Sequence, residues 1–235
     1  TNFDFLGAEF TMESSSAKEL CRLIIESGIN INWSSGDRVD FLDEELICLM
    51  KESGCCFLTF GVEVISEKLR LEYNRNQNIR QFEDAMSLTR KYGIKTRLNM
   101  IAGLPGESFV ELKEKLNFIK KVNPDAVAVN PFILGPASQL YRSLSQFDDI
   151  KNKKWHLYHF MHYPEAEYPC ESEYWKSNLE IIKVADWLQK KSDLYLNIRK
   201  IKRGENIFKA CKNIFELYIP KPAIEFFKNM KSRLF

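Results

Sequence analysis

Between Ile94 and Glu107 the chain reads Ile-Lys-Thr-Arg-Leu-Asn-Met-Ile-Ala-Gly-Leu-Pro-Gly-Glu, an apolar strand that stops in a glycine- and proline-bearing turn and then enters a helix. Leu98, Met100, Ile101 and Ala102 suit a sheet covered on both faces, while Gly103, Pro105 and Gly106 leave backbone amides open at the strand's carboxyl end. Ligands of α/β folds bind at such ends. The stretch therefore restricts the chain to architectures in which strand ends build a site.

The flanking sequence repeats the same unit at a nearly constant step, the pattern of parallel βα repeats. Asn2 to Phe5 reads as the end of a strand. Ser14-Ser15-Ser16 opens a helix whose apolar positions Ala17, Leu20, Cys21, Ile24 and Ile25 share a face and which stops at Gly28. Ile29 to Trp33 is the next expected strand, Asp43 to Ser53 the next helix, and Cys56 to Val62 the strand after it. Asn78 caps a helix through Phe82, Ala85, Met86, Leu88 and Tyr92 to Gly93. After the Ile94 strand come a helix from Ser108 to Val122, closed by Asn123-Pro124, and a short strand from Ala126 to Asn130 ending at Pro131.

Past about Ser145 strand signals give way to helical ones, around Trp155 to Tyr163, Ser172 to Lys191, and Glu205 onward with a break at Pro220 and Pro222. This divides the chain into a βα part, residues 1–145, and a helical extension, residues 146–235. The net charge of +2 hides an asymmetry: from Lys183 onward 13 Lys and Arg stand against 5 Asp and Glu. Nucleic acid is not implied by such a balance. Cysteines at 21, 48, 55, 56, 170 and 211 form no CxxC pair and no disulfide framework, which fits a reducing cytoplasm. No apolar run approaches the length of a membrane span. The chain starts at Thr1 rather than Met, inside an apparent strand, which suggests that an amino-terminal part precedes it.

Polar residues at expected strand ends are the candidates for a site. Arg38 follows the strand through Trp33, Glu63 follows Phe60-Gly61-Val62, Gly103 to Glu107 follow the central strand, and Asn130-Pro131 follow the last one. A guanidinium, a carboxylate and an amide-lined loop suit a zwitterionic ligand bearing a sugar, since a carboxylate can chelate paired ribose hydroxyls and a guanidinium can grip a carboxylate two-pronged.

The order and spacing of Ile31-Asn32-Trp33, Arg38-Val39-Asp40, Leu42 to Leu46, Lys51 to Cys55, Phe60-Gly61-Val62-Glu63, Asn74-Arg75, Gly103 to Glu107, Asn123-Pro124-Asp125 and Pro136 to Tyr141 resemble a known family. It is the radical S-adenosylmethionine (radical SAM) superfamily, in the branch associated with a cobalamin-binding domain. The likeness covers roughly residues 1–145. It implies an α/β fold, the carboxyl-terminal part of a TIM-like barrel followed by a helical region. It also implies reductive cleavage of S-adenosylmethionine (SAM) to a 5′-deoxyadenosyl radical that modifies a substrate. A methyltransferase using cobalamin from an upstream domain, or an iron–sulfur oxidoreductase, is the expected reaction class, with an electron donor as partner. By the same resemblance, Glu63 and Arg75 contact the ribose and methionine ends of SAM and Arg38 lies on the same face. Gly103, Gly106 and Glu107 carry the loop contacts, and Pro131 borders the adenine.

Two departures stand out. The family's CxxxCxxC loop, whose thiolates hold a [4Fe-4S] cluster, has no counterpart among these cysteines, so the ligands are expected outside this chain. Ala137 stands where the family usually has Gly.

Structural readings compete with each functional one. Glu63 can cap the following helix, Arg38 and Asp40 can form a surface pair worth little, and Cys55 and Cys56 can be packed thiols. His156, His159 and His162 are the only histidines. Their three-residue steps fan across the helix surface, which favours aromatic helix packing over a metal site, so no metal ligands are expected here. The basic tail with Ile224, Phe227, Met230 and Leu234 suits either an anionic membrane surface or a helix docked on its own barrel. Two functions therefore remain open: the body of a radical SAM enzyme, and a non-catalytic barrel remnant serving as a binding module.

Overall fold

A computed structural model describes residues 2–5, 10–73, 77–134, 138–140, 175 and 177–218. Five parallel strands form one sheet: β1 (Asn2–Phe5), β2 (Asn32–Asp37), β3 (Cys55–Glu63), β4 (Lys95–Ala102) and β5 (Ala126–Pro131). The spatial order is the order in sequence. Because parallel crossovers are almost always right-handed, an order without reversal winds every connection onto the same side of the sheet, the arrangement of a barrel wall rather than a doubly wound sheet. The helices are α1 (Ser14–Glu26), α2 (Glu44–Glu52), α3 (Glu67–Glu72), α4 (Ile79–Lys91), α5 (Phe109–Val122), α6 (Asn178–Lys202) and α7 (Ile207–Tyr218).

Burial follows from this winding. On the helix side, Leu58, Phe60 and Val62 of β3 and Leu98 and Met100 of β4 are buried and join Leu46, Ile47, Met50, Phe82, Met86 and Ile119 from the helices. The opposite face carries small or polar residues in register, with Gly61 beside Asn99 and Asn99 beside Ala128, and these are only half-buried. Among the described residues, one face of the sheet is core and the other is only half-covered, where coverage of both faces was expected.

Local signals set most helix ends. Asp43 accepts from the Leu46 amide to cap α2, and Asn78 with Gln81, then Ser108 with Glu111, form reciprocal capping boxes at the starts of α4 and α5. Asn123 closes α5 in the left-handed conformation at φ 60°. Two bounds differ from the sequence reading. The strand expected at Ile29–Trp33 runs instead from Asn32 to Asp37, and Ile29 is 61% exposed. Ser34, Ser35, Gly36 and Asp37 have weak strand propensity, but β3 pairs with all four and β1 with Ser34 and Ser35, and tertiary pairing decides.

The second difference concerns α6, expected to stop near Lys191 but continuous to Lys202. Rather than hanging from the sheet, it covers the edge of β5. The Gln189 side-chain amide accepts from the Val129 N–H at 2.8 Å and donates to the Val127 carbonyl at 3.1 Å, taking the two hydrogen bonds a sixth strand would supply. Ile181, Val184, Ala185 and Leu188 of α6 form a second core with Ala102, Leu112 and Leu134. No described helix is long and apolar enough to cross a membrane. The stretch holding His156, His159 and His162, and the tail from Ile219, lie outside the described residues.

Replacing Gln189 by Leu leaves a buried donor and a buried acceptor on the β5 edge unmet. The expected loss is about 2–4 kcal/mol of unfolding free energy, read by urea denaturation; a variant as stable as the parent would show that water satisfies the edge.

Candidate functional site

Since all five strands are parallel, their carboxyl ends lie along one edge of the sheet: Asp37 of β2, Glu63 of β3, Ala102 of β4 and Pro131 of β5. The register sets Pro131 beside Ala102, and the Phe132 amide extends that contact by donating to the Ala102 carbonyl at 2.8 Å.

The loop after β4 is a tight turn with Pro105 and Gly106 at its centre. The Glu107 amide donates to the Leu104 carbonyl at 3.0 Å, and Gly106 at φ +77° takes the left-handed position such a turn requires. The Glu107 side chain points back into the protein and is fully buried. One carboxylate oxygen accepts from the Gly103 amide at 2.7 Å. The other forms an ion pair with Lys115 of α5, equally buried, whose ammonium also donates to the Ile101 carbonyl. Strand end, turn and helix are stapled together around a charge pair. Gly103 itself stands at φ +87°, and a Cβ there would run into Ile181 of α6, so the position admits only glycine. The Tyr73 hydroxyl donates to the Pro105 carbonyl at 2.9 Å and ties the turn to the end of α3.

Glu63 is placed by a different device. The β3–β4 register slips between Gly61 and Glu63, a bulge that re-aims the strand end, and Glu63 adopts φ 58°. The left-handed region is costly for a residue with a side chain and persists where surrounding structure enforces it. The carboxylate folds back over Gly61: a Cβ on Gly61 would lie 3.1 Å from Glu63 Oε1. Glycine at 61 leaves that oxygen its space on the half-covered face of the sheet.

Arg38, just past β2, is paired two-pronged with Asp40, Nε to Oδ1 at 3.0 Å and Nη2 to Oδ2 at 2.6 Å. Gln77 donates to the same carboxylate at 2.9 Å, and Arg38 stacks on the Phe41 ring at 5.5 Å. The Arg38 guanidinium and then Gln77 hold the Asp40 carboxyl below its usual range. Arg38 is oriented by this pair. Arg75 lies outside the described residues.

Three residues that the sequence reading passed over belong to this edge. Asp37 is buried at 6% exposure, accepts from the Thr11 amide at 2.9 Å and from the Ser35 hydroxyl. It escaped notice because β2 was expected to stop at Trp33. Lys115 was readable, since it shares a helical face with Leu112 and Ile119, where a lysine needs a partner. Ile181 carried no local signal.

The described residues hold no group of three His, Cys, Asp or Glu side chains placed to bind a metal. Burial pushes the Cys55 and Cys21 thiols up, away from the thiolate form a cluster needs. Among the described residues the cysteines are not placed to hold an iron–sulfur cluster.

Residues 1–119 match the sequence model of the Radical SAM superfamily. A curated relative, an uncharacterised methyltransferase of Pyrococcus horikoshii, is 25% identical over 155 residues, 66% of this chain and 34% of its own length. The anaerobic magnesium-protoporphyrin IX monomethyl ester cyclase of Rubrivivax gelatinosus is 28% identical over 65% of this chain and 28% of its own. The chain thus spans about a third of such relatives. Among solved structures, the radical S-adenosylmethionine methyltransferase TsrM from Kitasatospora setae, with cobalamin and a [4Fe-4S] cluster bound, superposes with a TM-score of 0.57. It is 18% identical, over 63% of this chain and 31% of that one. Coproporphyrinogen III oxidase from Escherichia coli gives a TM-score of 0.55 at 16% identity, over 82% of this chain and 40% of that one. These structural likenesses concern the fold: a partial TIM-like barrel with a helical carboxyl-terminal region.

Replacing Lys115 by Met strands the Glu107 carboxylate in the core. The expected cost is about 3–5 kcal/mol, with much of it recovered in the Lys115→Met, Glu107→Leu double variant, as followed by chemical denaturation. For Glu63→Gly, relief of the left-handed backbone is expected to leave stability unchanged or raised by about 1 kcal/mol; a clear loss in the same measurement would show that the carboxylate holds the fold.

Proposed function

Because the chain belongs to the radical SAM superfamily, we propose that it forms the SAM-binding wall of a radical SAM enzyme. That enzyme cleaves SAM reductively to a 5′-deoxyadenosyl radical and modifies a substrate on the half-covered face of the sheet. The family uses SAM with a [4Fe-4S] cluster, which supplies the electron; in this reading its thiolates come from outside the 235 residues. Methyl transfer with cobalamin from an upstream domain is the favoured reaction class, since the methyltransferase from Kitasatospora setae was solved with cobalamin bound. An iron–sulfur oxidoreductase is the second. An electron donor is the implied partner and the cytoplasm the implied compartment.

The observation that carries this reading is Glu63, held in the left-handed region with its carboxylate over Gly61 on the sheet edge shared with the Gly103–Glu107 loop. In that position the carboxylate accepts from both ribose hydroxyls. Arg38, preset by Asp40, and Arg75 meet the methionine carboxylate. Gly103 and Gly106 let the backbone approach the ligand, Glu107 acts by fixing the loop, and Pro131 borders the adenine. The half-buried row of Gly61, Asn99 and Ala128 leaves room for substrate.

The test is 5′-deoxyadenosine formation by the full-length enzyme. Glu63→Ala and Glu63→Gln are expected to abolish it, since each unpaired ribose hydroxyl costs roughly 1–3 kcal/mol. Glu67→Ala, at the exposed start of α3, is expected to retain it. Equal losses in all three would mean general destabilisation, and an unaffected Glu63→Ala would remove this residue from the site. Absence of 5′-deoxyadenosine from the parent enzyme under reducing conditions would favour the non-catalytic binding module.

A further inference from the structure

At the opposite end of the sheet, below the amino ends of β4 and β5, lies a cleft of about 170 Å³ that the reading above does not use. Three arginines from three parts of the chain line it, Arg90 of α4, Arg199 of α6 and Arg203 just beyond α6, and Lys95 at the start of β4 borders it with its backbone. Asn123 and Asp125 complete the polar wall.

Part of this charge has a structural explanation. The end of α5 presents carbonyls at the negative pole of its dipole. Arg90 Nη2 donates to the Val122 carbonyl at 2.5 Å, and Arg199 Nη1 donates to the Asn123 side chain. These contacts use one nitrogen of each guanidinium, and a guanidinium carries five donors. Arg199 Nε is buried without a hydrogen-bond partner. Burial, and next the neighbouring Arg203, lower the Arg199 pKa, against the opposing pull of Asp125. The carboxylates at hand are Asp125 and Glu205. One Asp125 oxygen accepts from the Thr96 amide at 3.0 Å, and Glu205 reaches Arg203 only at 3.7 Å.

We propose that this cleft is a binding site for a phosphate-bearing anion. Three arginines outnumber the two carboxylates beside them, Asp125 and Glu205. A phosphomonoester brings nearly two charges and three acceptor oxygens, matching the donor surplus of the guanidiniums. The cleft is too small for a nucleotide, so the recognised part is the phosphate group itself. The same chemistry belongs to a small phosphorylated metabolite and to a phospholipid headgroup, and the two sources are separable in solution.

The test uses the 235-residue chain at constant ionic strength, set with chloride so that general screening is held fixed. Titration with inorganic phosphate and with glycerol 3-phosphate, followed by calorimetry and thermal unfolding, is expected to give saturable binding and a rise in Tm. Arg199→Gln and Arg203→Gln are each expected to weaken binding at least tenfold. The Arg203 side chain is about half exposed and pairs only loosely with Glu205, and its backbone cap on α6 survives substitution, so its variant tests the site without threatening the fold. In parallel, the chain is sedimented with vesicles containing phosphatidic acid and with neutral vesicles. Saturable binding of either soluble anion that depends on both arginines supports a metabolite site. Selective sedimentation with phosphatidic acid, dependent on both arginines, supports a headgroup site. Binding to neither, or binding that survives both substitutions, overturns the proposal.

Discussion

A carboxylate and an ammonium ion sealed away from water decide where the most constrained loop of this protein can go. Glu107 and Lys115 neutralise one another in the core, and their remaining hydrogen bonds fall on the Gly103 amide and the Ile101 carbonyl, groups that the ending of β4 would otherwise leave orphaned. A buried ion pair gives little net stability against an apolar substitute, but it is intolerant of rearrangement, because any displacement of one charge exposes the other to an uncompensated interior. Specificity of shape is what such a pair provides. The backbone of the Gly103–Gly106 turn is thereby fixed before any ligand arrives, as preorganised binding requires.

Glu63 reaches the same end by strain rather than charge. A bulge and a left-handed residue aim its carboxylate across Gly61, and the cost is borne by the paired strands on either side. The two devices are complementary. The loop is held by a buried ion pair, and the glutamate is aimed by a backbone forced out of the extended conformation.

Much of this was visible in the sequence, for reasons particular to each element. The βα cascade was legible because its helices carry local caps at Asp43, Asn78 and Ser108 and its core strands have apolar runs bounded by glycine. The Gly103–Glu107 turn was legible because proline and glycine restrict backbone geometry by themselves. Where the reading failed, the deciding interactions were long-range. The residues Ser34 to Asp37 become strand because neighbouring strands, β3 above all, demand pairing, so the buried Asp37 was read as loop. The inward turn of Glu107 depends on a lysine eight positions later, and the ends of α6 depend on a sheet edge some sixty residues upstream. Composition and periodicity record a residue's preference but not which distant surface will claim it.

That last helix has a mechanical consequence. Ile181 presses on Gly103 at the carboxyl mouth of the sheet, Gln189 is clamped to the middle of β5, and Arg199 meets the end of α5 at the opposite mouth. At 1.5 Å per residue the two outer contacts stand about 12 and 15 Å from the clamp, on either side of it. A helix so held is a beam resting on a fulcrum. A tilt about Gln189 carries Ile181 and Arg199 in opposite senses, so the two mouths of the barrel wall cannot adjust independently of one another.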